Sequence, residues 1–487
     1  MNRPFDEARY ASLLKGLDAT VIKFSKVHLD NEKFRLDDGY FSKLAVLTLQ
    51  RVEKLPHVRF GEATSVFRKG IFDIKADSYL PSGIPFVRIG DLKNGLIDTN
   101  GIAFISATAH QKEAKTGLRF GDMVLSKTAI PAASFVTLDE CNVSQDTIAV
   151  RIAPAWKKRL RGGFVTAFLN SRHGLALMER EFQGNVQAHL SLPDGKKIPI
   201  PLFDMRLQDA THSGFIYASK KFSEAAQQFE RAEQALLREL GLNNWRPPEP
   251  LTYTANSSQV FAAGRFDAEY FNPAKHIVIH ALAAMPHRTL GEHVLSVRDM
   301  FVAGNPKEIG LVRNFDLGDA LDPVLDDSME PVPATEIGSS KKRFRKGDVV
   351  ISRLRSYLRE IAIVRTTDDI PSIGSSEFIV LRPKFAGQTQ ISPTLLWAYL
   401  HSQPVQTILK SCVDGSQHPR FSEIDLLSIP VPDAIHSVSA EIEKLVDEAI
   451  SSRILANRVL SDSKRAIEIA IDDSEEAALL FLASTTE

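Results

Sequence analysis

Between Lys341 and Arg359, eight of nineteen residues are basic: Lys341, Lys342, Arg343, Arg345, Lys346, Arg353, Arg355 and Arg359, against the single acid Asp348. With 59 basic residues in 487, a window of that size would ordinarily hold about two. Guanidinium forks can bridge guanine O6 and N7 in the major groove, whereas lysines mostly position the phosphate backbone. The chemistry expected here is therefore DNA recognition, with Arg353, Arg355 and Arg359 as base readers and the remaining cations on phosphates. An earlier stretch is sparser but of the same sign, with Lys112, Lys115 and Arg119 before Gly121-Asp122 and Lys127 just after. Two glycine-led segments, Gly184 to His189 and Gly415 to Arg420, add Gln187, His189, Gln417, His418 and Arg420, which can reach adenine edges or phosphates. Solvated loop charge, helix capping or buried hydrogen bonds would use the same residue types.

Other chemistry is not indicated. The sequence has no G-x-x-x-x-G-K-[ST] phosphate loop, no Asn-Pro-Pro-Tyr or Asp-Pro-Pro-Tyr run to hold a base for amino-methylation, and no Gly-x-Ser-x-Gly. Its thirteen histidines include no H-E-x-x-H pair and its two cysteines lack C-x-x-C spacing, so no metal site is expected. Asp37 and Asp267 have no accompanying nuclease-type lysine pattern and are read as structural. No catalytic role is expected.

Composition sets outer bounds. At 487 residues the chain exceeds the length at which one core stops growing, so two or more domains are expected. A net charge of −1 means that attraction to nucleic acid must come from local clustering. Cys141 and Cys412 are expected to be packing thiols in a reducing compartment, no apolar run suits a membrane span, and a cytoplasmic location is expected.

The elements that position these residues occur twice. Arg35 to Phe41 returns as Arg265 to Phe271, at an offset of 265 − 35 = 230. Val87-Arg88 with Asp91-Leu92 matches Val312-Arg313 with Asp316-Leu317, and Gly121 to Ser126 matches Gly347 to Ser352, at 225 and 226. Ser144, Asp146, Ile148 and Arg151 match Ser375, Glu377, Ile379 and Arg382, and Ile198 to Pro201 matches Ile429 to Pro432, both at 231. Five matches in one order at near-constant offset indicate a duplicated module, with small insertions in loops. Each copy reads as a turn feeding a buried strand, later strands, an apolar-faced helix, and an Ile-Pro-x-Pro segment that ends the module.

A long helix-favouring stretch follows each ending. Phe222, Ala225, Phe229, Ala232 and Leu236 carry a 3-4-3-4 seam, and Ile442, Leu445, Ala449, Ser452, Ala456 and Val459 repeat it more weakly. Each helix can cover its own domain or pair with the other. The expected organisation is an N-terminal extension (1–24), a first module (25–212), a first helix and linker (213–250), a second module (251–435), a second helix (436–471) and an acidic tail (472–487).

Taken in order, the paired Gly-Asp-[Met/Val]-Val-[Leu/Ile]-Ser strands, the Val-Arg-x-x-Asp-Leu segments, the glycine-glutamine turns and the Ile-Pro-x-Pro endings before long helices resemble the specificity subunit of type I restriction-modification enzymes. The resemblance covers residues 25 to 470. It implies an α+β fold of two tandem globular target-recognition domains separated by two long helices that pack as an antiparallel coiled-coil spacer. It further implies that each domain reads one half of a bipartite site in double-stranded DNA. The subunit would neither cut nor methylate, and would bind no cofactor. Two copies of a modification subunit would bind it through the spacer helices and bring S-adenosylmethionine, and a restriction or translocase subunit can join for cleavage. A related antiphage methylation system with different partners fits the same residues. A protein-binding scaffold without base readout, or an enzyme with an unfamiliar site, are the alternatives. Taken as a helix, Phe215 to Gly241 would be about 40 Å long, close to one turn of DNA.

Overall fold

A computed structural model of the chain describes residues 6–15, 22, 24–29, 31, 33–72, 74–184, 188–248, 250–384 and 390–485. The chain divides into two compact units, one formed by 1–222 with 454–487 and the other by 223–453. Both boundaries fall inside the long helices.

In the first unit, helix Lys43–Val52 precedes strand His57–Arg59, which pairs antiparallel with Pro199–Pro201. The two prolines lack a donor, and a two-stranded edge pairing tolerates them while burying Ile200 between them. The main sheet has the order Thr64–Lys69, Thr147–Ile152, Met123–Ser126, Ala133–Phe135, Leu96–Ile97, Leu92–Lys93. A smaller sheet runs Asn142–Val143, Ile84–Val87, Ala103–Ile105, Tyr79–Leu80. Helices Gly162–Asn170 and Arg172–Glu181 share one hydrophobic core with the main sheet. Strand Met123–Ser126 is buried throughout. Alternation along it sends Met123 and Leu125 into the helix-side core and Val124 into a second core on the opposite face.

The second unit repeats this plan. Helix Pro273–Ala283 leads to strand His287–Thr289, paired with Pro430–Pro432. The main sheet runs Val294–Val297, Phe378–Pro383, Val349–Ser352, Ile361–Val364, Val324–Leu325, and helices Pro393–His401 and Gln403–Cys412 pack on it. Val349 and Ile351 face the helices and Val350 faces away, as in the first unit. Even strand sense is kept: Leu96–Ile97 lies parallel to Ala133–Phe135, as Val324–Leu325 does to Ile361–Val364.

One sequence match is corrected in register. Ser144 N bonds to Val87 O and Ser375 N to Phe315 O, so Val87 corresponds to Phe315 rather than to Val312. Asp91 accepts from Arg88 N and Asp319 from Asp316 N, each at 2.7 Å, which makes Asp319, not Asp316, the partner of Asp91. The Val-Arg dipeptide misleads because Arg313 serves a different contact, an ion pair with Asp368.

The long helices are Met205–Glu239 and Ser439–Asp472. The first starts eight residues before the expected 213. Gly214 permits close helix approach, since a Cβ there would stand 2.8 Å from the Ser463 Oγ. Its 35 residues make the helix about 52 Å long. In the first unit the two helices run antiparallel, Asp204 N meeting Glu475 and Gly214 meeting Ser463. Within the second unit, Gln228 Nε2 donates to Glu448 at 3.0 Å. Phe215, Ala218, Ala456 and Leu460 enter the first unit's core, and Ala232, Leu236, Ile442 and Leu445 the second's. The helices thus pack on each other and on the modules at once. Within the acidic tail, Glu475–Thr485 form a helix with Glu475 and Glu476 in its first turn, where the helix dipole favours them, while Leu479, Phe481 and Leu482 pack on the core.

Candidate DNA-reading junctions

The main sheet's central strand ends, in each unit, in a loop that meets the turn after the second covering helix. In the first unit, Thr128 forms an antiparallel bridge with His189, Ala129 N bonds to Ala188 O, and Leu190 N bonds to Lys127 O. In the second, Leu354 bridges Arg420, Arg355 N bonds to Pro419 O, and Phe421 N bonds to Arg353 O. The same three contacts therefore recur, and they bring together segments read separately in the sequence. Ala129 and Arg355 occupy the same step with φ of 63° and 51°, a left-handed conformation that turns the loop.

At the second junction, Glu377 stands between two arginines. Arg353 Nε donates to Glu377 Oε2 at 2.8 Å; Arg420 donates from Nε to Oε2 at 3.0 Å and from Nη2 to Oε1 at 2.7 Å. Arg420 Nη1 donates to His418 O at 3.0 Å. The hydrogen bond from Arg420, aided by Arg353, holds the Glu377 carboxyl down to about 2 against the opposing effect of burial. Arg353 and Arg420 nevertheless keep 45% and 40% of their side chains exposed. The acid aligned with Glu377 in the other unit is Asp146, whose carbonyl accepts from Lys127 N. Sequence matching pairs Asp146 with Glu377, but gives neither a place in the site. An acid kept beside two basic segments was the available signal.

The other expected residues are distributed as follows. Gln417 and His418 are exposed on the turn next to Arg420 and His189 is exposed at the first junction. Gln187 lies outside the described residues. Arg355 is half-buried and its guanidinium makes no hydrogen bond or ion pair to the described residues. Arg359 turns inward, its Nη2 donating to Gln403 Oε1 at 2.8 Å at the junction of the two covering helices; there burial, with Arg359 adding, pushes His401 down to about 3. Lys341 pairs with Asp316 at 3.6 Å, and Arg343 with Glu308, on strand Lys341–Phe344 of a separate sheet. Lys342 is half-buried beside them, and burial lowers its pKa. Arg345 and Lys346 are exposed in the turn entering the central strand, opposite the end carrying Arg353. In the first unit, Lys112, Lys115 and Arg119 are exposed before that strand, Lys115 pairing with Glu113 at 3.0 Å, and Lys127 is half-buried after it. The nineteen-residue cluster is thus divided between the two ends of one buried strand.

Two duplicated contacts hold this framework. Asp122 is gripped by Arg151 (Nη2 to Oδ2, 2.6 Å) and Asp348 by Arg382 (Nε to Oδ1, 2.7 Å), so each Gly-Asp turn is tied to the neighbouring strand. Arg35 and Arg265 each clasp the acid two residues on, with Nε–Oδ2 distances of 2.8 Å, and donate to carbonyls at or just beyond the end of the second covering helix: Arg180 in one unit, Cys412 and Val413 in the other. Asp37 and Asp267 fill that clasp.

Among the described residues, no group of three His, Cys, Asp or Glu side chains is placed to hold a metal ion, and no helix is long and apolar enough to cross a membrane. No protein-family model matches the chain, and no curated protein does. Among solved structures it is similar to the S subunit of a type I restriction-modification system from M. genitalium, at 13% identity and a TM-score of 0.35, over 88% of this chain and 96% of that one. It is also similar to the HsdS subunit from Thermoanaerobacter tengcongensis, at 14% identity and a TM-score of 0.26, over 86% and 95%. A chain from a structure of type I R-M complex assembly and conformational transition matches at 14% identity and a TM-score of 0.26, over 86% and 98%.

Proposed function

We propose that this chain is a non-catalytic, sequence-specific DNA-binding subunit that reads a bipartite site, one half per unit, and directs a partner methyltransferase to it. The observation that carries the reading is the duplicated junction: the same loop and turn, joined by the same bridge, present Lys127 and His189 in one unit and Arg353, Arg355 and Arg420 in the other. Buried strands and covering helices fix the frame while side-chain identity at the junction differs between copies, as reading two different half-sites requires. Two copies of the modification subunit would dock through the long helices and supply S-adenosylmethionine, with a motor-nuclease subunit joining where cleavage occurs, in the cytoplasm. Methylated bases would be flipped into the partner's site, since a stacked base is out of its reach.

Single-molecule methylome sequencing tests this, comparing cells that carry the gene with its chromosomal neighbours against cells lacking this gene alone. Loss of a two-part methylated motif is expected. An unchanged methylome, together with no salt-sensitive DNA binding by the purified chain, would overturn the reading.

A further inference from the structure

The carboxylate at the second junction determines which arginine can read a base. Arginine has five N–H donors, and both partners of Glu377 have some of theirs committed. Arg420 gives its Nε and Nη2 edge to the two carboxylate oxygens and one Nη1 proton to His418 O, so it is locked into the junction. Arg353 gives only Nε, and its terminal Nη1 and Nη2 groups make no hydrogen bond to the described residues. Those two groups form the planar pair that matches guanine O6 and N7. The Arg353 backbone is fixed as well, its N bonding to Glu377 O and its O accepting from Phe421 N.

We infer that Glu377 is a specificity-determining positioning residue: it holds Arg353 by Nε so that its terminal pair faces a guanine, with Arg420 as the opposing buttress rather than a second reader. The inference rests on the DNA-reading function proposed above. A guanidinium held at one end by a carboxylate loses less side-chain freedom on binding than a free one, so its contact discriminates more sharply. The carboxylate also repels phosphate, which weakens binding to unselected sequence. Asp146 is one methylene shorter, and among the described residues its carboxylate makes no ion pair to an arginine, so the fork is described in the second unit alone.

The test uses the full chain and a randomised duplex library. Wild-type protein is expected to select a two-part motif. Arg353→Ala should lose preference at one guanine of one half-site by roughly 5- to 150-fold, with the other half-site unchanged. Glu377→Gln should lose the same preference while binding unselected duplex more tightly and with a steeper salt dependence. Glu377→Asp keeps the charge and shortens the reach, so it should retain the wild-type salt dependence and still lose preference. Arg420→Lys should behave like Glu377→Asp. Thermal unfolding of each variant separates these effects from loss of fold. If folded Glu377→Gln selects the wild-type motif undiminished, the inference fails while the DNA-reading function stands. A wild-type chain that selects no motif overturns both.

Discussion

Ala129 and Arg355, 226 residues apart in the chain, hold the same left-handed backbone conformation at the same step of the same loop, with φ of 63° and 51°. Neither residue type favours it. A non-glycine residue there carries about 1 kcal/mol of strain that glycine would not. Strain kept in both copies shows that the loop's path is imposed by its surroundings, the bridge to the turn on one side and the strand end on the other.

Replacing Ala129 with glycine should therefore stabilise the protein by up to about 1 kcal/mol, because relief of strain exceeds the extra entropy glycine gives the unfolded chain. A urea titration measures this. A fall in stability would mean that the methyl group contributes packing that outweighs the backbone term.

The Asp348–Arg382 pair should be far less tolerant. Asp348 is almost wholly buried, with 1% of its side chain exposed, and it also accepts from the Arg345 backbone N–H at 2.8 Å. Asp348→Ala leaves the partly exposed Arg382 guanidinium without its partner and the buried turn without its acceptor, and should cost about 2 to 3 kcal/mol by denaturant unfolding. Adding Arg382→Met should recover part of that loss, since the uncompensated charge is then gone.

How much of this was legible beforehand follows from what each signal depends on. The duplication, the Gly-Asp strands and the Ile-Pro-x-Pro endings depend on local chain geometry and could be read directly. The first helix extends eight residues ahead of the expected 213, and the packing of its Gly214 on Ser463, distant in sequence, is set by the fold and not by a local pattern. The basic run from Lys341 to Arg359 is a local concentration in sequence, yet the buried strand Val349–Ser352 separates its two ends, and Arg359 faces Gln403. Glu377 was passed over because a lone carboxylate has no pattern of its own; only the fold brings Arg353 and Arg420, 67 residues apart, onto it.

The same carboxylate gives the junction a pH dependence with a definite sign. Glu377 is held at about 2 in the folded chain, below the ordinary 4.5, chiefly by Arg420. The folded state thus binds fewer protons than the unfolded one between those values, so the stabilisation is fully present above about pH 4.5 and is lost as pH falls toward 2. Between pH 6 and pH 3, wild type should lose more stability than Glu377→Gln. Equal losses would show that the arginines do not hold the carboxylate in solution.

Arg345 and Lys346 should behave differently from Arg353 if the two ends of the central strand do different work. Both are exposed in a turn, and the Arg345 and Lys346 side chains have no ion pair among the described residues, so they suit phosphate rather than a defined base edge. Replacing both with alanine should weaken binding about equally across all sequences and flatten the dependence of log K on log salt by about two counterions, each phosphate contact contributing close to one. Arg353→Ala should instead relax one position of one half-site. Binding measured at several salt concentrations, on the selected motif and on a scrambled duplex, separates the two. A change in preference on removing Arg345 and Lys346 would move the reading surface to the opposite end of the strand.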